Sequence, residues 1–238
     1  MSASDAARRF YKSVTVRTNG AGFVVLLDER PLKTSAGAPF AAPTAALAEA
    51  CAAEWDAQRQ HILLSTMPLT RLAFEAIELT PEAREDYAGF IAGYGETDLC
   101  CHRAASPVEL IEREGALRQP IVDWGARALD VALPVVTGVQ PAQRNETAIA
   151  TLRAHAGGLD NFRLVALAQA TKLAGSVLIG FALLHGELDA PRAFEAAALD
   201  DLWSLERWGE DAEARARLER QRDDFAALAR FIAALKRA

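Results

Sequence analysis

Lysine is almost missing from this chain: it occurs at positions 12, 33, 172 and 236, so arginine supplies 22 of the 26 basic residues. Basic residues are in turn outnumbered by 32 acids, for a net charge of −6 over 238 residues. Nucleic-acid binders need a basic face to displace condensed counterions, so this balance argues against nucleic acid as a partner. Cysteine is scarce. Cys51, Cys100 and Cys101 cannot build a disulfide framework, which predicts a reducing compartment. The opening MSASDAARRFYKS lacks the apolar stretch of a secretory signal. The apolar run Leu173–Leu184 covers 12 residues, well short of the ~20 that a membrane-spanning helix needs. Repeats and Pro/Ser-rich linkers are missing too. The expectation is a soluble intracellular protein with no membrane insertion.

Signatures of catalysis are equally thin. No G-x-x-x-x-G-K-[ST] phosphate loop, G-x-S-x-G elbow or H-E-x-x-H zinc helix occurs. Gly93-Tyr94-Gly95-Glu96-Thr97-Asp98 starts like a dinucleotide fingerprint, but its third glycine is missing. Cys100-Cys101-His102 is the one cluster that suggests a metal. Neighbours on an extended strand face opposite ways and chelate one ion poorly, so these read as small buried residues. The residues imply no cofactor, no metal and no small-molecule substrate.

What is present divides unevenly along the chain. SVTVRT (13–18) and GFVVLLD (22–28) are β-branched, apolar runs separated by Asn19-Gly20, a strong hairpin signal because both residues tolerate positive φ. A second turn at Asp28-Glu29-Arg30-Pro31 leads into a short LKTS strand. A lone meander needs a cover. Residues 44–58 supply one, with Thr44 as N-cap and Leu47, Ala48, Cys51 and Trp55 on the apolar face. Beyond residue 65 the pattern predicts helices near 68–78, 81–93, 107–130, 141–156, 160–185, 191–208 and 212–236. Pro81, Pro107, Pro141 and Pro191 stand where a first helical turn tolerates proline. Segments 97–103 and 133–139 read as further short strands. The fold class is α+β: an N-terminal antiparallel β-meander with a covering helix (1–65), then a larger all-α helical domain (66–238).

Charge is distributed more tellingly than its total. Residues 187–213 carry nine acids against Arg192 and Arg207, whereas 214–238 carry seven basic residues against three acids. The acidic block reads either as a solvated face opposite the basic last helix or as a docking surface for a partner that carries arginines. Within it, Leu199, Leu202 and Trp203 define an apolar stripe, and Glu206 falls in its middle. A carboxylate there must be paired, protonated or aimed outside the fold. The last helix has its own stripe, Phe225, Leu228, Phe231, Ile232 and Leu235, which ordinary core packing explains.

Six segments carry a family likeness: RRFYKSVTV (8–16), GFVVLLDERPLKT (22–34), AEWDAQ (53–58), TMPLTRLA (66–73), YGETDLCCHRA (94–104) and LERWGEDAEA (205–214). In this order they resemble the assembly chaperones of the F-type ATP synthase catalytic head, of the type that binds the alpha subunit. The resemblance implies an α+β N-terminal domain, a helical C-terminal domain, no catalysis, and the unassembled alpha subunit as partner. Its acidic segment is Glu206-Arg207-Trp208-Gly209-Glu210-Asp211. With the block around it, the implied partner-binding set is Glu206, Trp208, Glu210, Asp211, Asp200 and Asp201. Tyr94, Thr97, Asp98 and Arg103 match a second hallmark and read as structural. Cys100-Cys101-His102 stands where the family pattern has Leu, Cys and Tyr. Mitochondrial members need a long targeting extension and this chain has almost nothing before Phe10, which suggests a bacterial cytoplasmic member. Two rival readings are a helical scaffold for another client and a small-molecule enzyme with Glu206 as general base beside Asp98 or His102.

Overall fold

The computed structural model describes residues 7–20, 22–138, 143–209 and 211–236. They form two compact units, one running to Thr80 and including the chain from Arg230, the other spanning Pro81–Ala229.

In the first unit β1 (Val14–Asn19), β2 (Gly22–Leu27) and β3 (Arg30–Pro31) make an antiparallel sheet in the order β1-β2-β3. The first hairpin closes with Asn19 opposite Gly22, as the Asn-Gly pair predicts. Ala21 lies outside the described residues. The second turn comes earlier than expected. Asp28 and Glu29 both take positive φ, 47° and 69°, matching the right-handed twist of a two-residue hairpin. The Asp28 carboxylate fixes that turn by accepting the N–H groups of Ser13 and Lys12 at 2.8 and 2.9 Å. Those bonds hold its pKa below the usual carboxylate range. The expected LKTS strand is therefore replaced by Arg30–Pro31 and one bridge from Lys33 to Pro39.

Helix α1 (Ala45–Asp56) covers the sheet, burying Leu47, Ala48, Cys51 and Trp55. Thr44 caps it by accepting from the Leu47 N–H at 3.2 Å while its hydroxyl donates to the Ala234 carbonyl at 2.5 Å. The first unit runs past the anticipated joint at residue 65. Helix α2 (Pro68–Glu78) buries Leu69, Ala73 and Phe74, and the Phe74 ring meets Phe40 at 6.2 Å. Glu54 of α1 accepts the Leu69 and Thr70 N–H groups at 2.9 and 2.8 Å, satisfying the open N-terminus of α2. These contacts bind α2 to α1 and to Phe40 within the first unit.

The second unit contains α3 (Pro81–Gly93), α4 (Val108–Ala128), α5 (Glu146–Gly157), α6 (Asn161–Ala174), α7 (Val177–His185), α8 (Ala190–Trp208) and α9 (Ala212–Ala234), the last running on into the first unit at Arg230. The two short segments expected as strands contain β4 (His102–Arg103) and β5 (Val136–Thr137), paired in parallel. Pro141 lies outside the described residues, and α5 starts at Glu146 behind an Asn145 cap. No described helix is long and apolar enough to cross a membrane. The last helix's stripe is buried throughout, Phe225 and Leu228 in the helical unit and Phe231, Ile232 and Leu235 in the first, with Leu235 just past the end of α9.

One long helix over 160–185 is not what forms. Gly175 turns left-handed at φ 64°, and Ser176 caps a new helix by accepting from the Ile179 N–H at 3.1 Å. The two resulting helices, α6 and α7, pack closely: a Cβ placed on Gly180 would stand 2.6 Å from the Thr171 hydroxyl. A straight helix would have no such neighbour. Breaking at Gly175-Ser176 lets the apolar faces of both halves bury against each other.

Candidate functional site

The acidic block spans α8 and its two flanks. Asp189 caps the helix by accepting from the Arg192 N–H at 2.9 Å, and Gly209, at φ 92°, ends it. Asp211 then caps α9, accepting from the Glu213 N–H at 2.9 Å. Along this stretch α8 lies beside α4, and the acids divide among different neighbours. Asp200 pairs with Arg118 of α4 at 2.7 Å. Asp201 points the other way, to Arg217 of α9 at 2.8 Å. Glu206 pairs with Arg113 of α4 at 2.7 Å. Glu210 lies outside the described residues.

Glu206 is thus paired but not buried: its side chain keeps 56% of its surface and that of Arg113 keeps 47%. The stripe is buried at Leu199 and Trp203 and half-buried at Leu202, and beyond Trp203 the α4–α8 contacts are ion pairs, Arg113 with Glu206 and Glu109 with Arg207. Trp203 itself is 7% exposed. Two guanidinium groups lie over its ring, Arg113 at 4.8 Å and Arg207 at 4.9 Å from the centroid. Trp208, one residue beyond Arg207, is 80% exposed. An acid, two arginines and a bare indole therefore share the end of α8.

Beneath that rim lies a buried clamp which the sequence reading did not single out. Arg118 has no solvent exposure. It donates to Glu114 at 3.0 Å, to Asp200 at 2.7 Å and to the Ala196 carbonyl at 3.1 Å. The second oxygen of Glu114 accepts the Ala104 N–H at 2.8 Å. Arg103 donates to the Glu114 and Cys100 carbonyls at 2.7 and 2.9 Å. The clamp fixes α8 against α4 and so sets where the rim residues stand. A signal existed: Glu114 and Arg118 share one helical face with Ile121, Val122 and Gly125, all buried.

The hallmark segment 94–103 sits at the break between α6 and α7. Asp98 is fully buried, and its carboxylate accepts from the Cys100 N–H at 2.9 Å, the Ser176 hydroxyl at 2.7 Å and the Leu178 N–H at 3.1 Å. Burial pushes its pKa up, against those hydrogen bonds. A carboxylate at the first turn of α7 satisfies open N–H groups and meets the positive end of the helix. Tyr94 packs its ring on Phe90 at 5.3 Å. Thr97 is exposed and closes the turn that Tyr94 opens, its N–H reaching the Tyr94 carbonyl at 3.2 Å.

A family model described as "ATP12 chaperone protein" matches residues 8–126, half of the chain. The crystal structure of Atp12 from Paracoccus denitrificans is 37% identical, with a TM-score of 0.90, covering 97% of this chain and 99% of that one. This chain belongs to the ATP12 chaperone family.

A putative chaperone from Agrobacterium tumefaciens is similar at 35% identity and a TM-score of 0.89, over 96% of this chain and 86% of that one. The mitochondrial protein atp12 of Schizosaccharomyces pombe is 25% identical, over 86% of this chain and 75% of its own length. The family read from the six sequence segments is borne out. The ATP12 model ends inside α4, so it takes in Asp98, Arg103, Arg113, Glu114 and Arg118 but not α8. Likeness over the acidic end of this ATP12 member comes from the whole-chain structural matches.

Other chemistry finds little footing in this ATP12 member. All three cysteines are buried free thiols, and burial pushes Cys51 and Cys101 up to about 12, far from a reactive thiolate. Cys100 and Cys101 lie in a 3-10 turn, Leu99–Cys101, instead of an extended strand. Among the described residues no three His, Cys, Asp or Glu side chains gather to hold a metal ion. His102 reaches the Asp98 carbonyl at 3.1 Å, but the Asp98 carboxylate meets no solvent.

Proposed function

We propose that this ATP12 family member is a bacterial, cytoplasmic chaperone of F-type ATP synthase assembly that covers the unassembled alpha subunit, through the end of α8, until beta takes its place. The observation that carries this reading is the exposed last turn of α8, where the Glu206 side chain keeps 56% of its surface and Trp208 is 80% exposed. An exposed aromatic residue at a charged helix end has the composition of a protein contact surface. An unassembled alpha subunit presents apolar surface and arginines meant for its neighbours, and such surfaces aggregate. Acidic steering with an apolar anchor covers them reversibly.

Glu206 and Trp208 carry the contact in this reading. Glu210 belongs to the same proposed surface, while Asp200, Asp201 and Asp211 contribute field from positions already engaged inside the fold. The protein needs no catalysis to do this work. The rival general base at Glu206, beside Asp98 or His102, is less well supported: Glu206 pairs with Arg113, Asp98 is sealed and the His102 ring bonds the Asp98 carbonyl.

The test is capture of purified alpha subunit by the immobilised protein. Glu206→Lys is expected to weaken capture by roughly 30-fold or more, the scale of losing one partner of an interfacial charge pair. Raising salt from 0.05 to about 0.5 M is expected to slow association markedly, because steering charges are screened over a few ångströms at high ionic strength. Capture indifferent to both would remove the acidic surface from the account.

A further inference from the structure

Arg113 stands in a place built for a guanidinium. The place has two parts: the Glu206 carboxylate, 2.7 Å from Nη1 of Arg113, and the Trp203 ring, whose centroid is 4.8 Å from its Cζ. A carboxylate at the edge of a guanidinium and an indole on its face are how proteins hold arginine. Lysine, a compact ammonium, uses neither part as well. Arg207 repeats the stack at 4.9 Å, but its acid, Glu109, is 3.9 Å away, too far for a hydrogen bond. Of the two arginines over Trp203, Arg113 alone combines both parts.

We propose that Arg113 is a built-in competitor: in the free protein it fills the site that an arginine of the client takes in the complex. This rests on the chaperone reading and names the chemistry that the surface reads. The two arginines of α4 that reach α8 make the contrast. Arg118 is fully buried with three partners and cannot leave. Arg113, five residues earlier, is half exposed, and so is its acid. An exposed pair of this kind holds its partners weakly, so an incoming guanidinium displaces it at a cost of a few-fold in affinity. Refilling needs no second molecule. When beta draws the client away, Arg113 returns to Glu206 and stops recapture, while in the free protein it keeps other arginine-bearing proteins off the acid.

The experiment measures affinity for purified alpha subunit with four proteins: wild type, Arg113→Ala, Glu206→Gln and the double variant. Both side chains are half exposed, so all four are expected to fold, which thermal unfolding checks. Arg113→Ala is expected to tighten binding about three- to ten-fold. In the Glu206→Gln background the same change is expected to do nothing, because there is no longer an acid to compete for. If Arg113→Ala leaves affinity unchanged or weakens it, or if it tightens binding equally in both backgrounds, the competitor idea is overturned while capture by wild type still stands. If wild type itself retains no alpha subunit, the chaperone reading fails and takes this proposal with it.

Discussion

Replacing Arg118 with alanine is expected to cost the helical unit about 3–5 kcal/mol of stability, the scale of leaving one member of a buried ion pair uncompensated. The side chain has no exposure, and three acceptors depend on it. Glu114, itself buried, loses its counter-charge; the Ala196 carbonyl loses a donor; Asp200 is half exposed and recovers water. The loss comes from Glu114 more than from the missing guanidinium, so removing both charges is predicted to hurt less than removing one. An Arg118→Met, Glu114→Leu double variant should recover a large part of the deficit. Urea unfolding of the single and double variants measures both. A single variant within about 1 kcal/mol of wild type would contradict the clamp, since that is the range of a surface pair.

Asp98→Asn is the second large effect. The change removes a buried negative charge, so a simple desolvation argument expects it to be harmless or helpful. The geometry predicts otherwise. One Asp98 oxygen accepts from Cys100 and Ser176, the other from Leu178, so every neighbour is a donor. Whichever way the amide is turned, its NH2 faces an N–H or O–H donor. The expected loss is about 3 kcal/mol or more, from a buried donor without an acceptor and from the missing negative charge at the start of α7. Denaturant unfolding reads the loss, and hydrogen exchange of Leu178 and Ile179 amides locates it. An Asn variant as stable as wild type would mean that the α7 terminus is satisfied by something other than this carboxylate.

The sequence disclosed those features whose cause is local. Pro81 and Pro191 stand in the first turns of α3 and α8 where they were expected, because proline at a first turn costs the helix nothing. Thr44 was legible as a cap for the same kind of reason, a side chain acting on the next turn. Features decided by distant partners were not. The break at Gly175-Ser176 sits inside an apolar run that reads as one helix; what stabilises the break is Asp98, far away in the chain. The end of the first unit at Thr80 depends on Phe74 meeting Phe40 and on Glu54 capping α2. At the candidate site, Glu206 was visible as a breach in an apolar stripe, but periodicity could not show that it meets Arg113 of α4 and stays half exposed. Arg113 and Trp203 gave no sign of their stacking, since an arginine on α4 and a tryptophan on α8 are joined only by the antiparallel packing of those two helices. The charge block was legible as a sum, whereas its division among Arg113, Arg118 and Arg217 belongs to the packing.

Light scattering from isolated alpha subunit, warmed without nucleotide in the presence and absence of an equimolar amount of this protein, addresses the whole account at once. Suppressed scattering, with suppression lost in Glu206→Lys and in Trp208→Ala, is the predicted result. Scattering that rises to the same level and at the same rate whether or not the protein is present would contradict it.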